Sequence, residues 1–425
     1  MSDGSGDRVS GRWREALTRI RSGDRVRLTA RWIFPVASDP VENGLLEIAE
    51  GRVESVEPLS GRSCPEALNL ENSAILPALV NAHAHLEFSD LAEPIQPPAP
   101  FPAWIQNLMA HRRSRSESDT ETVLAARGAV ESARHGTTIV GDIVTGAWTP
   151  EPAVSLSSQV VAFRELIGLL TEHENPQLEV ARQHIEHCRE AGILPALSPH
   201  APYSVAPSLF HSLVDLAKSE QVPLCLHLAE TKAELELLAT GTGELVEMLR
   251  KFGLWRDGLL LRGTKPLEYL IAMEDLPAAS IAHGNFLSDE EIAYLGRHPN
   301  ITTIYCPRTH HFFGHEPHPW QRLLDSGATV ALGTDGRSSN PDYSLWAELQ
   351  FLDEKTHGKA RPDLLRMATQ SGAAALGLDP FGTIQPGTKA VPTLIRVAEC
   401  GSQDPWHNLF HSDSRPEPLF SPCHP

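Results

Sequence analysis

The dipeptide-spaced pair His83-Ala84-His85 closes the apolar run 74–80. Alternate residues of a strand face the same way, so two imidazoles at a strand end can point at one metal ion. Further acid and imidazole groups close other apolar runs: His200 in Ser198-Pro199-His200-Ala201-Pro202-Tyr203, His227 and Glu230 in Leu226-His227-Leu228-Ala229-Glu230, His283 before Gly284, and Asp335 in Gly333-Thr334-Asp335. His83, His85, His227 and Asp335 form a nitrogen and oxygen donor set suited to one borderline divalent ion with a position left for water. A lone His227 reads more readily as a core histidine, but beside H-x-H and a strand-ending aspartate the ligand reading is favoured. Glu230, three residues past His227, can approach a metal-activated water without coordinating, which suits a proton carrier; the alternative is a helix N-terminal glutamate. His283 can orient the water, stabilise negative charge or coordinate, and these roles stay open. His200, held between Pro199 and Pro202, either touches substrate or makes a structural hydrogen bond. In the loop 306–315, Arg308 among histidines and phenylalanines suits an anionic or aromatic substrate; the alternative is a His-rich surface loop.

One mouth for these residues requires many strands ending together. From residue 74 onward, strand-like runs at 75–81, 137–142, 160–164, 194–198, 223–227, 280–283, 302–305 and 329–333 alternate with helix-period segments such as 121–134, 177–189, 208–218 and 345–352. That is the pattern of repeated β/α units in an α/β fold, here a (β/α)8 TIM barrel over 74–376, whose active site lies at the C-terminal strand ends. Residues 25–73 read as short strands of a small separate sheet, and 377–399 carries a last strand returning to it. Residues 1–24 read as a polar extension with a helix-like stretch at 13–20, 94–102 as a Pro-rich turn, and 400–425 as a poorly ordered tail.

Composition narrows the partners. Lys and Arg number 36 against 54 Asp and Glu among 425 residues, a net charge of −18 that repels polyphosphate, so nucleic acid is not expected as a partner. Six scattered cysteines without a C-x-x-C pair suit reduced thiols. Neither a secretory signal core nor a run long enough to span a bilayer is present, and a cytoplasmic protein acting on a small molecule, without membrane contact, is expected. The oligomeric state stays open, a homo-oligomer included.

Together these motifs resemble the amidohydrolase superfamily, in particular its cytosine-deaminase-like and triazine hydrolase/chlorohydrolase branch. The resemblance runs over nearly the whole chain, from the segment ending Asn81-Ala82-His83-Ala84-His85 through Ser198-Pro199-His200, His227-Leu228-Ala229-Glu230 and His283-Gly284 to Gly333-Thr334-Asp335. It implies a barrel with a small β-sandwich domain made from the N- and C-terminal segments. It also implies that His83, His85, His227 and Asp335 hold one Zn2+ or Fe2+ while Glu230 and His283 serve the hydrolytic water. Binuclear relatives place a carboxylated lysine on a middle strand; none occurs in 194–203, which favours a mononuclear site. Where many relatives carry Asn after the seventh strand this chain has His310, a changed substrate contact. The turn Pro-Gly-Lys-x-Ala-Asp of relatives is replaced by Pro386-Gly387-Thr388-Lys389-Ala390-Val391-Pro392.

The chemistry expected is hydrolytic deamination of an aminated N-heterocycle, purine-nucleoside-like or related, with Glu230, His283 and Asp335 moving protons. A substrate of the aminodeoxyfutalosine type is attractive because Arg308 could hold its carboxylate. The alternatives are dechlorination or amide or formimino C–N hydrolysis at the same metal, and, in a different class, an inactive barrel kept as a binding module.

Overall fold

The computed structural model describes residues 3–150, 152–153, 158–256, 258–260, 262–378 and 380–419. Near the N-terminus come β1 (Val26–Ile33), β2 (Val41–Ala49), β3 (Arg52–Pro58), β4 (Leu68–Asn69) and β5 (Ser73–Leu76). A parallel series follows: β6 (Leu79–His85), β7 (Thr137–Val144), β8 (Gln159–Leu166), β9 (Leu194–Pro199), β10 (Leu224–Leu228), β11 (Ala279–His283), β12 (Ile301–Tyr305), β13 (Thr329–Leu332) and β14 (Asp335–Gly336). The chain ends with β15 (Thr393–Arg396) and β16 (Arg415–Pro416).

The parallel series forms one nine-stranded sheet in the order β13-β12-β11-β10-β9-β8-β7-β6-β14. Its edges meet in one stretch of chain, because β13 pairs with β12 and β14, two residues further on, pairs with β6. The sheet is therefore curled and TIM-barrel-like. Val80, Ala82, Val161, Phe163, Ala196 and Cys225 face its interior with Ile304 and Ala331, and the segment around Ala373 and Leu376 packs among them. Leu224, Leu226 and Leu228 alternate outward toward the covering helices, as a strand buried on both faces requires.

Both chain ends build the second sheet, of order β16-β15-β5-β1-β2-β3 with β4 also against β1. The single run read at 75–81 is broken at Pro77, which offers no N–H: β5 pairs with β1 and β15, and the parallel series starts only at Leu79. The segment read as a polar extension with a helix-like stretch packs on this small sheet. A helix spans Asp3–Arg21 and seats Trp13, Ala16, Leu17 and Ile20 against Leu28, Ile48 and Leu70 of the small sheet; residues 1–2 lie outside the described residues. Each large apolar side chain so buried contributes roughly 1.5–3 kcal/mol.

The tail also departs from expectation. Residues 400–419 form a helix (Pro405–Leu409) and β16, bury Leu409 and Phe410, and accept at Ser414 O a hydrogen bond from Trp346 Nε1. Residues 420–425, Cys423 among them, lie outside the described residues. The turn expected at 94–102 runs into a helix, Phe101–Ser114, whose Pro102 sits in the first turn where no N–H is needed. Among the described residues no helix is long and apolar enough to cross a membrane.

Candidate active site

A β-bulge sets the first two imidazoles. Val80 and Ala82 face the interior, and alternation would then send His83 and His85 outward. The register between β6 and β7 shifts between Asn81 and Ala84, so the histidines turn inward instead while Ala84 packs with the covering layer. Tyr343 Oη donates to His85 O at 2.7 Å and anchors the strand end. A Cβ at Gly333 would lie 2.8 Å from His83 O, so only glycine lets the stretch 329–336 close against β6.

Backbone strain aims other members of the cluster. Ala229, His283 and Asp335 all have positive φ (53°, 73° and 60°), a conformation that costs a non-glycine residue about 1–3 kcal/mol and persists where the surroundings enforce it. Enforcement is visible at Ala229: the Glu234 carboxylate, fully buried, accepts from Ala229 N and Glu230 N at 2.9 Å each. Asn285 Nδ2 donates to Glu230 O at 2.9 Å. Glu230 is thereby fixed from both sides. Ser339 Oγ donates to Asp335 Oδ2 at 3.1 Å.

The resulting cluster is buried and short of partners. His83 is completely buried and neither of its ring nitrogens has a hydrogen-bond partner; His85 Nδ1 also has none. His227 Nδ1 donates to His200 O at 3.0 Å, so in the neutral ring the Nε2 lone pair faces His85 Nε2, 3.3 Å away. Asp335 Oδ1 lies 3.8 Å from His83 Nε2 and 3.7 Å from His85 Nε2. Two triads, His83/His227/His283 and His83/His85/Asp335, each bring one ligand atom per residue within 4.8 Å of the others. Bonds of 2.0–2.1 Å in a tetrahedral site place ligand nitrogens about 3.3–3.4 Å apart. Unpaired buried imidazoles facing one another are costly alone and satisfied by a shared cation, so the residues fit a divalent metal ion.

Electrostatics agree with that use. Burial, then neighbouring imidazoles, holds His83 and His85 well below the usual histidine range, and brings His227 and His283 down to about 3, so all are neutral donors at pH 7. Burial, reinforced by Asp335, lifts Glu230 well above the carboxylate range. Its Oε1 lies 3.6 Å from His283 Nε2, a carboxyl biased toward its protonated form beside a neutral base. Burial pushes Glu234 up to about 7 and His200 down to about 4.

A cavity of about 230 Å3 opens over the cluster, with His85, His200, His227, Glu230, His283 and Asp335 at its polar base. Its other walls are mostly apolar. Phe101, Trp104, Ile105, Leu108 and Met109 reach it at helical spacing from Phe101–Ser114, and Phe252 and Leu254 face it from the other side. His200, its Nδ1 2.6 Å from Ser204 Oγ, belongs to this wall.

Arg308 and His310 do not. Arg308 lies in the first turn of a short helix, Pro307–Phe313, and its guanidinium is taken by Glu348 (Nε to Oε1, 2.7 Å) and Asp342 (Nη2 to Oδ1, 2.7 Å; Nη1 to Oδ2, 3.2 Å). The reason is Glu348, a fully buried carboxylate that needs a counter-charge. His310 turns into an aromatic group with Tyr305, His315 and His318 behind the site. The expectation that Arg308 and His310 meet substrate at the mouth is therefore not met. Reading the strand ends alone missed Glu234, Glu165 and Arg112, the last two of which line the cavity.

The chain is similar to known proteins. The 5-methylthioadenosine/S-adenosylhomocysteine deaminase of Moorella thermoacetica is 28% identical over 390 residues, covering 86% of this chain and 84% of its own. Among solved structures, the Helicobacter pylori aminofutalosine deaminase in complex with methylthio-coformycin superposes with a TM-score of 0.76 at 23% identity, over 88% of this chain and 93% of that one. The atrazine chlorohydrolase TrzN of Arthrobacter aurescens TC1, complexed with zinc, gives 0.74 at 20% identity over 94% and 97%. The model of the amidohydrolase family matches residues 74–411, which include every residue of the cluster. On that match the chain belongs to the amidohydrolase family.

Proposed function

We propose that this protein is a metal-dependent aminohydrolase that deaminates an aminated N-heterocycle of purine-nucleoside-like character. The single observation that carries the reading is the convergence of the buried imidazoles of His83, whose ring nitrogens have no hydrogen-bond partner, His85 and His227 with Asp335 and with a buried Glu230, whose carboxyl burial lifts well above the usual range, at the base of one apolar cavity. His83, His85, His227 and Asp335 would hold one divalent ion, zinc being the ion bound in the atrazine chlorohydrolase. Such an ion lowers the pKa of water toward neutrality and polarises the atom under attack. The protein's own groups do the rest. Asp335 and His283 accept the proton of the attacking water, and Glu230, raised by burial, donates to the ring nitrogen beside the amine-bearing carbon. Ammonia then leaves, and His200 with the apolar walls holds the ring. In the same reading the curled sheet is a closed (β/α)8 barrel and the small sheet folds over as a β-sandwich. In support, β3 returns to the segment before β15 through the Arg52–Lys389 bridge.

Ammonia release from the zinc-loaded protein across aminated purines, pyrimidines and triazines tests the proposal. Turnover of at least one aminated ring, lost in Glu230→Gln, is the expected result; chloride release from a chlorotriazine without any ammonia release would favour dechlorination instead.

A further inference from the structure

Ala229 is held in its strained conformation by Glu234; what holds His283 comes from behind the cavity. At the end of β11 His283 takes a φ of 73° and Gly284 one of 61°, so the chain leaves the strand through two consecutive left-handed residues. For a histidine such a conformation lasts only where neighbours enforce it. The pairing of β11 with β12 ends at Ala282 and Ile304, and the carbonyl of His283 lies just beyond it. There His318 Nε2 donates to His283 O at 2.8 Å.

His318 is itself rigidly mounted. It stands between Pro317 and Pro319, which fix their own φ and confine the residue between them to extended conformations. Its buried ring stacks on Tyr305 of β12 at 3.9 Å, with 16° between the planes, and meets His310 edge-on at 5.8 Å. Its Nδ1 is buried without a partner, so the proton of the neutral ring goes to Nε2, where the carbonyl accepts it. His318 does not line the cavity. What it holds does: His283 Nε2 lies 3.6 Å from Glu230 Oε1, and turning the 283–284 peptide would swing that ring away from the reacting groups.

Resting on the deaminase reading, we infer that His318 is a positioning residue for His283: its Nε2–H braces the strained 283–284 peptide and thereby aims the His283 ring at the water and Glu230. The His-rich loop 306–318 then serves the reaction through this hydrogen bond and not through contact with substrate.

The test measures kcat, KM and bound zinc for wild type, His318→Phe and His318→Gln on an aminated ring that wild type turns over, with melting points to show that each variant folds. Phenylalanine keeps a ring on Tyr305 but has no donor, whereas glutamine puts an amide N–H near the place of Nε2–H. His318→Phe is expected to lose about ten- to hundred-fold in kcat, the scale of a reacting group misplaced by up to about 1 Å, with KM and zinc content near wild type, and His318→Gln to recover most of the loss. Wild-type kcat in folded His318→Phe overturns the inference, as does an equal loss in both variants. If the phenylalanine variant does not fold, His318→Met, of glutamine's length without its donor, takes its place beside His318→Gln. A crystal structure of the zinc-loaded variant without the donor reads the brace independently of activity: a turned 283–284 peptide with the His283 ring moved from Glu230 supports it, and an unmoved ring overturns it. Should wild type release no ammonia from any aminated ring, the deaminase reading fails, and the same structural comparison still decides the brace.

Discussion

Arg308→Ala separates a structural from a substrate-reading role. The guanidinium carries hydrogen bonds to Glu348 Oε1 and both Asp342 oxygens, and donates to Ser344 O at 3.2 Å. Truncating one partner of a buried ion pair typically costs about 3–5 kcal/mol, because the other charge is stranded. Here the charge is that of Glu348, wholly buried, with Asn340 Nδ2 and Arg308 N as its remaining donors. The carboxylate can escape by protonating. At pH 7, starting from an ordinary glutamate pKa, that costs about 3.5 kcal/mol, so the loss should settle near 3–4 kcal/mol. Burial already lifts Glu348, and Arg308 is the largest influence pulling it down. In the variant its folded pKa rises further above the unfolded value, so stability is retained below about pH 4.5 and lost as pH rises. The deficit should therefore shrink to about 1–2 kcal/mol at pH 5. Thermal and urea melts of wild type and variant at the two pH values measure this, and adding Glu348→Gln with Arg308→Met should recover most of it. Unchanged stability, with kcat/KM falling about tenfold for a carboxylated substrate alone, would refute the reasoning and return Arg308 to the substrate.

Three further outcomes follow from the same geometry. Glu230→Gln should keep the metal but lose turnover, since the amide can hydrogen-bond without carrying a proton; elemental analysis beside ammonia assay checks it, and near-wild-type turnover would assign the proton to another group. Glu234→Gln can accept from only one of the Ala229 and Glu230 N–H groups, so kcat should drop about ten- to hundred-fold with KM and metal content near wild type; equal rises in KM would mean that the whole wall has moved. His184, buried with Nε2 2.9 Å from Ala162 O and brought down to about 4 by burial, refuses a proton that the unfolded chain binds near 6.5. Stability should thus fall by up to about 3 kcal/mol as pH drops from 6.5 to 4, and His184→Gln should flatten that part of the melting-point profile.

How far the site can be read from sequence depends on how local its causes are. Strand-ending residues are legible because alternation and a following turn are local, and His83, His85, His200, His227, Glu230, His283 and Asp335 do converge at one mouth. The means of convergence are not local. The bulge after Asn81 and the positive φ at His283 and Asp335 come from neighbouring strands. Arg308 looked free because Asp342 and Glu348 lie 34 and 40 residues away. Prolines around residues 97–102 masked the helix Phe101–Ser114, although its apolar residues at 101, 104, 105, 108 and 109 keep helical spacing. Glu165 was missed by ending β8 at residue 164, two residues early; the inward series 161, 163 pointed to it. The tail has no apolar period of its own and is ordered by tertiary contacts, with Phe410 stacked on Trp346 at 5.8 Å.

The central claim is that the metal cluster and Glu230 replace an amine on an aromatic ring with oxygen from water. Mass spectrometry of the product formed by the zinc-loaded protein in heavy-oxygen water tests it most directly. The expected result is a ring that has lost its amine as ammonia and gained one heavy oxygen at the same carbon, with none formed by Glu230→Gln. An aminated ring returned unchanged across the panel, or a product whose new oxygen does not come from water, would contradict it.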